Sequence, residues 1–172
     1  LVNLAVLSRD GSRALTSSAR DRSARVWDAT TGRLLFAPLS AYGAEIRHLA
    51  LSADGAFAAV ASDLRAHLVE LPAPDPSASA PLNVNARAKV LSMPGGALRG
   101  VGFASAEDRP RFFMAYSNGV ARFVNAHDGG ASVSVRDTSG AAHGGIASTW
   151  LSREGDRALT VFGDGLARVW NV

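Results

Sequence analysis

The sequence predicts an all-β chain built from four copies of one short repeat. A turn signature, Leu-Ser-x-Asp/Glu-Gly, occurs three times, and a strand signature with Asp or Asn six residues before an apolar anchor occurs four times. No segment shows the 3.6-residue periodicity of an amphipathic helix. Self-similarity at a regular spacing indicates a repeat architecture, in which each copy is one supersecondary unit.

The strand signature ends at apolar anchors that lie 42, 55 and 46 residues apart along the chain. These anchors are Trp27, Val69, Val124 and Trp170. The acid or amide before each anchor is Asp21, Asp63, Asn118 or Asp164. Such short side chains bond nearby backbone N–H groups in tight turns, so we interpret these four residues as structural.

Each copy contains three short β-type runs broken by Asp-Gly-type turns. In the first copy we expect strands at about 2–7, 13–17 and 23–27, with a fourth at 33–37. The second and third copies have fourth runs near 87–91 and 131–135, whereas the fourth copy ends before its own. The turn signature begins at Leu7, Leu51 and Leu151, and the third copy departs from it after Phe103.

Four strands per repeat at this period predict the blades of a β-propeller. We therefore expect one all-β domain over 1–172, made of four-stranded antiparallel blades at about 1–40, 41–92, 93–136 and 137–172. The last blade is expected to lack its outer strand. A Pro-rich insertion at 72–86 is expected to be an exposed loop, because its prolines and small residues are poor core formers.

The turn signature and the segment that ends in Trp27-Asp28 together resemble a WD40 repeat. Trp170-Asn171 is a near match to the same dipeptide, and the other two copies are degenerate. The resemblance implies a hydrogen-bond network of a loop His, a turn Asp, a Trp and a hydroxyl. In the fourth copy His143, Asp164 and Trp170 match this network, and Thr160 is the candidate for the hydroxyl although its spacing differs from that of the family. Tyr42 occupies the His position in the second copy.

The family resemblance implies a non-catalytic scaffold that binds other proteins within a multi-subunit assembly. An Asp, a His and a Thr in one blade also fit a catalytic triad, but the same Asp position recurs in every copy. A catalytic residue is needed once, so recurrence favours architecture. A propeller enzyme with a loop-borne site would draw on the scattered residues Asp108, His127 and Asp128. A sensor region attached to a signalling enzyme, such as a protein kinase, is a further alternative.

Three arginines, Arg25, Arg122 and Arg168, recur two residues before the strand anchors. Alternation along a strand places each on the same face as its anchor. One interpretation is a basic stripe that binds an acidic partner. The other, which we favour, is that the arginine stems pack on a neighbouring blade with their charged heads in water.

Composition narrows the classes of function. The net charge is +3, from 18 basic and 15 acidic residues, and aromatic residues make up 7% of the chain. A charge this small, without aromatics between the arginines, does not predict nucleic-acid binding. There is no cysteine and no metal-ligand spacing, so we expect no disulfide, no metal and no cofactor.

No apolar run is long enough for a membrane span, and no signal-peptide pattern opens the chain, so we expect a cytoplasmic protein. Both ends fall within apolar stretches, so we expect the sequence to be an excerpt of a longer protein. Its two end blades would then be completed by further blades or by a partner, since exposed strand edges and blade faces promote aggregation.

Overall fold

A computed structural model of the chain describes residues 1–40, 44–75, 77, 80–92, 96–104, 110–136, 145–152 and 154–171. Within these residues the backbone forms fifteen strands in four sheets, together with a short 3-10 helix at Asn85–Arg87. Every sheet takes its strands in chain order. Each is therefore a local antiparallel meander, which confirms the predicted all-β architecture of four blades.

The first compact unit comprises Leu1–Ser62 and Ala66–Leu91. Its first blade consists of β1 (Val2–Leu7), β2 (Arg13–Ser18), β3 (Ser23–Asp28) and β4 (Leu39–Ser40). The second blade consists of β5 (His48–Leu51), β6 (Phe57–Ala61), β7 (Arg65–Glu70) and β8 (Lys89–Ser92).

The second compact unit comprises Asp63–Arg65 and Ser92–Val172. The third blade consists of β9 (Leu98–Ala104), β10 (Arg111–Tyr116), β11 (Val120–Asn125) and β12 (Ala131–Arg136). The fourth blade has three strands in the described residues, β13 (Ile146–Leu151), β14 (Arg157–Phe162) and β15 (Ala167–Asn171). That the four blades make a single domain stays a prediction.

Alternation along the strands gives each blade two faces, and the register defines matching rows of side chains across them. We call the face that contains the row Val6, Leu15 and Val26 the front face of the first blade. Its back face contains the row Leu7, Ala14 and Trp27. The corresponding rows of the fourth blade are Trp150, Leu159 and Val169 at the front, and Leu151, Ala158 and Trp170 at the back.

The cores lie where a front face meets the back face of the next blade. In the first unit Leu15 and Val26 pack in one cluster with Ala58 and Val69, which belong to the back row of the second blade. In the second unit the front-face residues Phe113 and Phe123 of the third blade pack with the fourth blade's back row. Burial of these apolar rows removes them from water and is the main force that holds neighbouring blades together.

Close approach between blades explains two glycines in β9. A Cβ atom at Gly100 would overlap Cγ2 of Thr149, and one at Gly102 would lie 2.7 Å from Cδ1 of Leu151. Both partners belong to β13 of the next blade. Glycine therefore makes room at two positions where β9 and β13 approach each other closely.

The outer strand of the first blade differs from the prediction. The segment 33–37 makes only an isolated bridge to β3 at Leu34, and Phe36 then bridges Leu82. Regular pairing with β3 resumes at Leu39–Ser40, the observed β4. Pro38 lies between the two stretches and has no N–H to donate, so the outer strand is interrupted there.

The Pro-rich insertion is an exposed loop over only part of its length. Its described residues are exposed at 73–75, 77 and 80–83. Val84, however, is fully buried in the core of the first unit, and Ala37 N–H donates to Leu82 O at 3.0 Å. The expectation of a wholly exposed loop is wrong there, because one apolar side chain anchors the insertion to the first blade.

Candidate functional site

A tryptophan–threonine pair crosslinks the second and third strands in the first and fourth blades. Trp27 Nε1 donates to Thr16 Oγ1 at 2.8 Å, and Trp170 Nε1 donates to Thr160 Oγ1 at the same distance. Each threonine lies diagonally across the strand pair from its tryptophan. The hydroxyl thus satisfies an indole N–H that would otherwise be partly buried without a partner.

The spacing difference at Thr160 is explained by loop length. Trp27 follows Thr16 by 11 residues, whereas Trp170 follows Thr160 by 10. The intervening turn differs by one residue, but the register across the strands is the same in both blades. Sequence reasoning that counts residues along the chain missed Thr16 for this reason, and counting across the strand register would have found it.

The second and third blades replace both members of this pair with apolar residues. In the second blade the anchor Val69 has Val60 at the threonine position. In the third blade Val124 has Met114 there. All four side chains are buried. A hydroxyl is present only where an indole N–H needs an acceptor, so the pair is part of the blade architecture.

In the first, third and fourth blades the predicted turn residue forms a side-chain-to-backbone bond at the turn before the third strand. Asp21 Oδ1 accepts from Ser23 N at 3.2 Å, Asn118 Oδ1 from Val120 N at 3.2 Å, and Asp164 Oδ1 from Leu166 N at 3.0 Å. Each oxygen caps the N–H two residues ahead, as an Asx turn does. At Asp63 the backbone carbonyl accepts from Leu98 N at 2.6 Å. His143 and Tyr42 lie outside the described residues, so the histidine member of the network stays a prediction.

A serine organises the other recurrent turn. Ser8 Oγ donates to Asp10 Oδ1 at 2.6 Å and accepts from Arg13 N at 2.9 Å. Ser52 makes the equivalent pair of bonds to Asp54 and Phe57 N. Asp10 accepts hydrogen bonds from the Ser8 hydroxyl and from Ser12 N, and both bonds lower its pKa. Burial raises the pKa of Asp54, but the bonds from Ser52 and Ala56 N outweigh it and the net shift is downward.

The fourth blade uses a different acid in this turn. Ser152 Oγ donates to Asp156 Oδ1 at 2.7 Å and accepts from Arg157 N at 3.0 Å. The bond from Ser152 lowers the pKa of Asp156. The serine is therefore the constant part of the turn, and the position of its carboxylate partner varies.

The three recurrent arginines have different surroundings and form no common stripe in the described residues. Arg25 donates to Asp21 at 2.6 Å, and this bond, followed by the one from Ser23, lowers the pKa of Asp21. The Arg168 guanidinium lies 5.7 Å from the Phe162 ring centroid. Arg122 Nε is buried. Local pairing, stacking and burial fit packed stems better than a shared acidic ligand. Partner binding by these arginines stays a prediction.

The candidates for catalysis do not form a cluster among the described residues. His127 and Asp128 are exposed in one turn, where His127 N donates to Asn125 and Asp128 accepts from Gly130 N. Asp108 lies outside the described residues. No group of three His, Cys, Asp or Glu side chains that could hold a metal occurs in the described part of the chain. No helix there has the length and hydropathy of a membrane span.

Exposed apolar side chains lie on the open faces of the two end blades. On the front face of the fourth blade, Trp150 is 54% exposed and Val169 is 66% exposed. On the back face of the first blade, Leu7 is 66% exposed. At the matching front-row positions of the first blade, Leu15 and Val26 are buried beneath the second blade. These two open faces are the candidate functional surfaces, and sequence reasoning located them only as unfilled flanks.

A buried arginine distinguishes a covered front face from an open one. Arg13 Nη1 donates to Gly55 O at 2.8 Å and Nη2 to Pro72 O at 3.1 Å, so it joins the first blade to the turns of the second. Its guanidinium also lies 5.7 Å from the Phe36 ring centroid. Arg157 occupies the same position in the fourth blade, and its side chain is 66% exposed.

Comparisons with known proteins identify the fold. No protein-family model and no curated protein matches the sequence. A solved structure of U3-55K matches 99% of the chain with a TM-score of 0.71 and 17% identity, and 49% of that protein is covered. A crystal structure of the WD40 repeats of RRP9 matches 99% with a TM-score of 0.70 and 18% identity, with 48% covered. The chain thus spans about half the length of the solved structures it matches, and its fold is that of a WD40-type β-propeller.

Proposed function

We propose that this chain is a non-catalytic protein-binding scaffold within a cytoplasmic multi-subunit assembly. The observation that supports the proposal most directly is the exposure of Trp150, Val169 and Leu7 on the two end blades. Apolar residues at exposed, contiguous positions are typical of protein interfaces, and tryptophan is enriched at the centres of such interfaces.

The recurrent polar residues support the same proposal because their side chains are bonded within the blades. The recurrent serines, turn acids and threonines bond to their own turns and strands. Their side chains are therefore engaged in holding the blades, which leaves the rigid faces and loops as the surfaces available to a partner. A fold by itself does not determine function, so the proposal depends on these surfaces.

The test is isolation of the tagged chain from its own cells under non-denaturing conditions, with quantification of the co-isolated proteins. The Trp150→Lys variant places a charge on the front face of the fourth blade, and Val90→Lys places the same charge at an exposed position of β8. We expect stoichiometric protein partners with the wild type and with Val90→Lys. Loss of at least one partner from Trp150→Lys would support the proposal, and recovery of no other protein with any of the three would contradict it.

A further inference from the structure

We propose that Asn118 is a site of spontaneous deamidation, and that the aspartate formed there pairs with Arg122. The chain has six asparagines, and Asn118 is the one that is followed by glycine. Because glycine has no Cβ, no side chain stands beside the backbone nitrogen that must attack the amide. The site lies in the turn before the third strand of the third blade, and its chemistry needs no protein partner.

The reaction uses the backbone, the side-chain amide and water. The Gly119 nitrogen loses its proton and attacks Cγ of Asn118, so that an N–Cγ bond forms, the Cγ–Nδ2 bond breaks and ammonia leaves. Water then opens the cyclic imide. Opening at the new N–Cγ bond restores the ordinary backbone and leaves aspartate, whereas opening at the backbone carbonyl carbon gives isoaspartate.

The folded turn presents the amide in a reactive setting. Asn118 is exposed, so water reaches its side chain. Its Oδ1 accepts from Val120 N at 3.2 Å, and this donor stabilises the negative charge that develops on Oδ1 during the attack. The neighbouring Ser117 fixes the turn, because Ala97 N donates to Ser117 Oγ at 2.9 Å and Ser117 N donates to Ala97 O at 2.7 Å.

One hydrogen bond opposes the attack. Gly119 N donates to Tyr116 O at 3.1 Å, and this bond must break before the nitrogen reacts. A neutral backbone bond of this kind has a small net free energy, so it slows the reaction by at most about tenfold relative to the unfolded chain. The bond therefore changes the rate at Asn118 without changing which asparagine reacts first.

Asn83 is a matched control within the chain. It is also exposed, and its Oδ1 accepts from Asn85 N at 3.0 Å, so it lies in the same kind of Asx turn. The residue that follows it is Val84, whose branched side chain is buried. The two sites therefore differ mainly in the residue whose nitrogen must attack.

The first blade shows which contact the aspartate product gains. Asp21 occupies the position of Asn118, and both residues accept at 3.2 Å from the N–H two residues ahead. The second oxygen of Asp21, Oδ2, accepts from Arg25 Nη2 at 2.6 Å. Arg122 follows Asn118 at the same spacing as Arg25 follows Asp21.

The amide of Asn118 cannot serve Arg122 in this way. With Oδ1 facing Val120 N, the atom in the place of the second oxygen is Nδ2, which donates hydrogen bonds and does not accept them. Arg122 Nε is buried and has no hydrogen-bond partner among the described residues. Replacement of the amide by a carboxylate gives the guanidinium an acceptor of opposite charge. Deamidation thus completes in the third blade the ion pair that the first blade already has.

Peptide mapping of the folded chain tests the site. The purified chain is incubated at mildly alkaline pH, sampled over time and cleaved after arginine, which releases residues 112–122 with Asn118 as their one asparagine. The mass increase from NH2 to OH is quantified there and at Asn83, and electron-transfer fragmentation separates aspartate from isoaspartate. We expect conversion at Asn118 to be at least about tenfold faster, because the attacking nitrogen approaches freely. Equal rates at the two asparagines would overturn the inference.

A substitution of the attacking residue checks the cause. Gly119 has a φ of +80°, and asparagine tolerates positive φ better than other residues with a Cβ. Gly119→Asn therefore keeps the turn and places a side chain beside the nitrogen. We expect the rate at Asn118 to fall to that at Asn83, and an unchanged rate would reject the proposed attack by this nitrogen.

An NMR titration tests the ion pair. The Asn118→Asp variant carries the product from the start, and the pKa of its new carboxyl is measured with Arg122 intact and with Arg122→Gln. We expect the pKa to lie at least about 1 below the ordinary value of 3.8 and to rise in Arg122→Gln, because a neighbouring guanidinium favours the charged carboxylate. An ordinary pKa that ignores Arg122→Gln would overturn the pairing. If circular dichroism shows that Arg122→Gln is unfolded, added salt provides the comparison, since it screens an ion pair.

Discussion

The front faces of the first and fourth blades occupy the same register positions but differ in what covers them. Leu15 and Val26 are 0% and 1% exposed, whereas Val169 at the position of Val26 is 66% exposed. Arg13 is buried against two carbonyls of the next blade, whereas Arg157 lies in solvent. Burial at these positions is therefore decided by the neighbouring blade and not by residue type.

The largest difference is expected for truncation of the central leucine. Leu15→Ala removes a fully buried side chain and is expected to destabilise the first unit by about 2–5 kcal/mol, from lost transfer free energy and a residual cavity. Leu159→Ala at the matched, half-buried position is expected to cost less than about half of that. Urea unfolding combined with hydrogen exchange of β2 and β14 measures both effects. Equal costs would mean that the fourth blade's front face is already covered.

A smaller difference is expected for the two arginines. Arg13→Ala removes bonds to Gly55 O and Pro72 O and is expected to cost about 1.5–3 kcal/mol, because charge-assisted bonds in a buried site are lost. Arg157→Ala removes an exposed side chain with a 3.9 Å contact to Asp156 and is expected to change stability by less than about 0.5 kcal/mol. The same unfolding experiment, at a concentration where the chain is monomeric, checks both. A large cost for Arg157→Ala would contradict the comparison.

For the two threonines we expect the larger loss of stability in the fourth blade. Both threonines lie on back faces, and the back face of the fourth blade is the covered one. Thr160 is buried and Thr16 is only partly buried. Thr160→Val leaves the Trp170 N–H without its acceptor and is expected to cost about 1–2 kcal/mol. Thr16→Val is expected to cost less, since water can reach the Trp27 N–H through the open back face. Serine in place of either threonine keeps the hydroxyl and should restore most of the loss, which a packing effect alone would not produce.

The smallest effect concerns the turn carboxylates. The pKa of Asp10 is lowered first by the Ser8 hydroxyl, and that of Asp156 by the Ser152 hydroxyl, relative to the ordinary value of 3.8. A folded-state pKa below the unfolded one contributes stability above pH 3.8 that is lost as the pH falls through the lowered values. Ser8→Ala should raise the Asp10 pKa toward the ordinary value, and Ser152→Ala should do the same for Asp156. Carboxyl NMR titration of each variant measures the shift, and an unchanged value would reject the assigned cause.

Local sequence patterns were sufficient to predict most strands. The first three strands of the first blade begin and end within one residue of the prediction, because alternation and Asp-Gly-type turns are encoded by adjacent residues. The outer strand of that blade was misplaced, since Phe36 forms a bridge with the distant Leu82 and Pro38 interrupts the ladder. The burial of Val84 was missed for the same reason: its partners are remote in sequence.

The sequence by itself determined that this chain is a repeat of β-blades, because that conclusion follows from local spacing repeated in each copy. The same spacing predicts that its turn acids and tryptophans are structural. The tertiary structure alone decided which threonine serves each tryptophan and which of two equivalent arginines is buried. Those outcomes depend on the strand register and on whether a second blade lies against the face. A neighbouring blade turns an exposed apolar row into a core, and no pattern within one repeat specifies whether that neighbour is present.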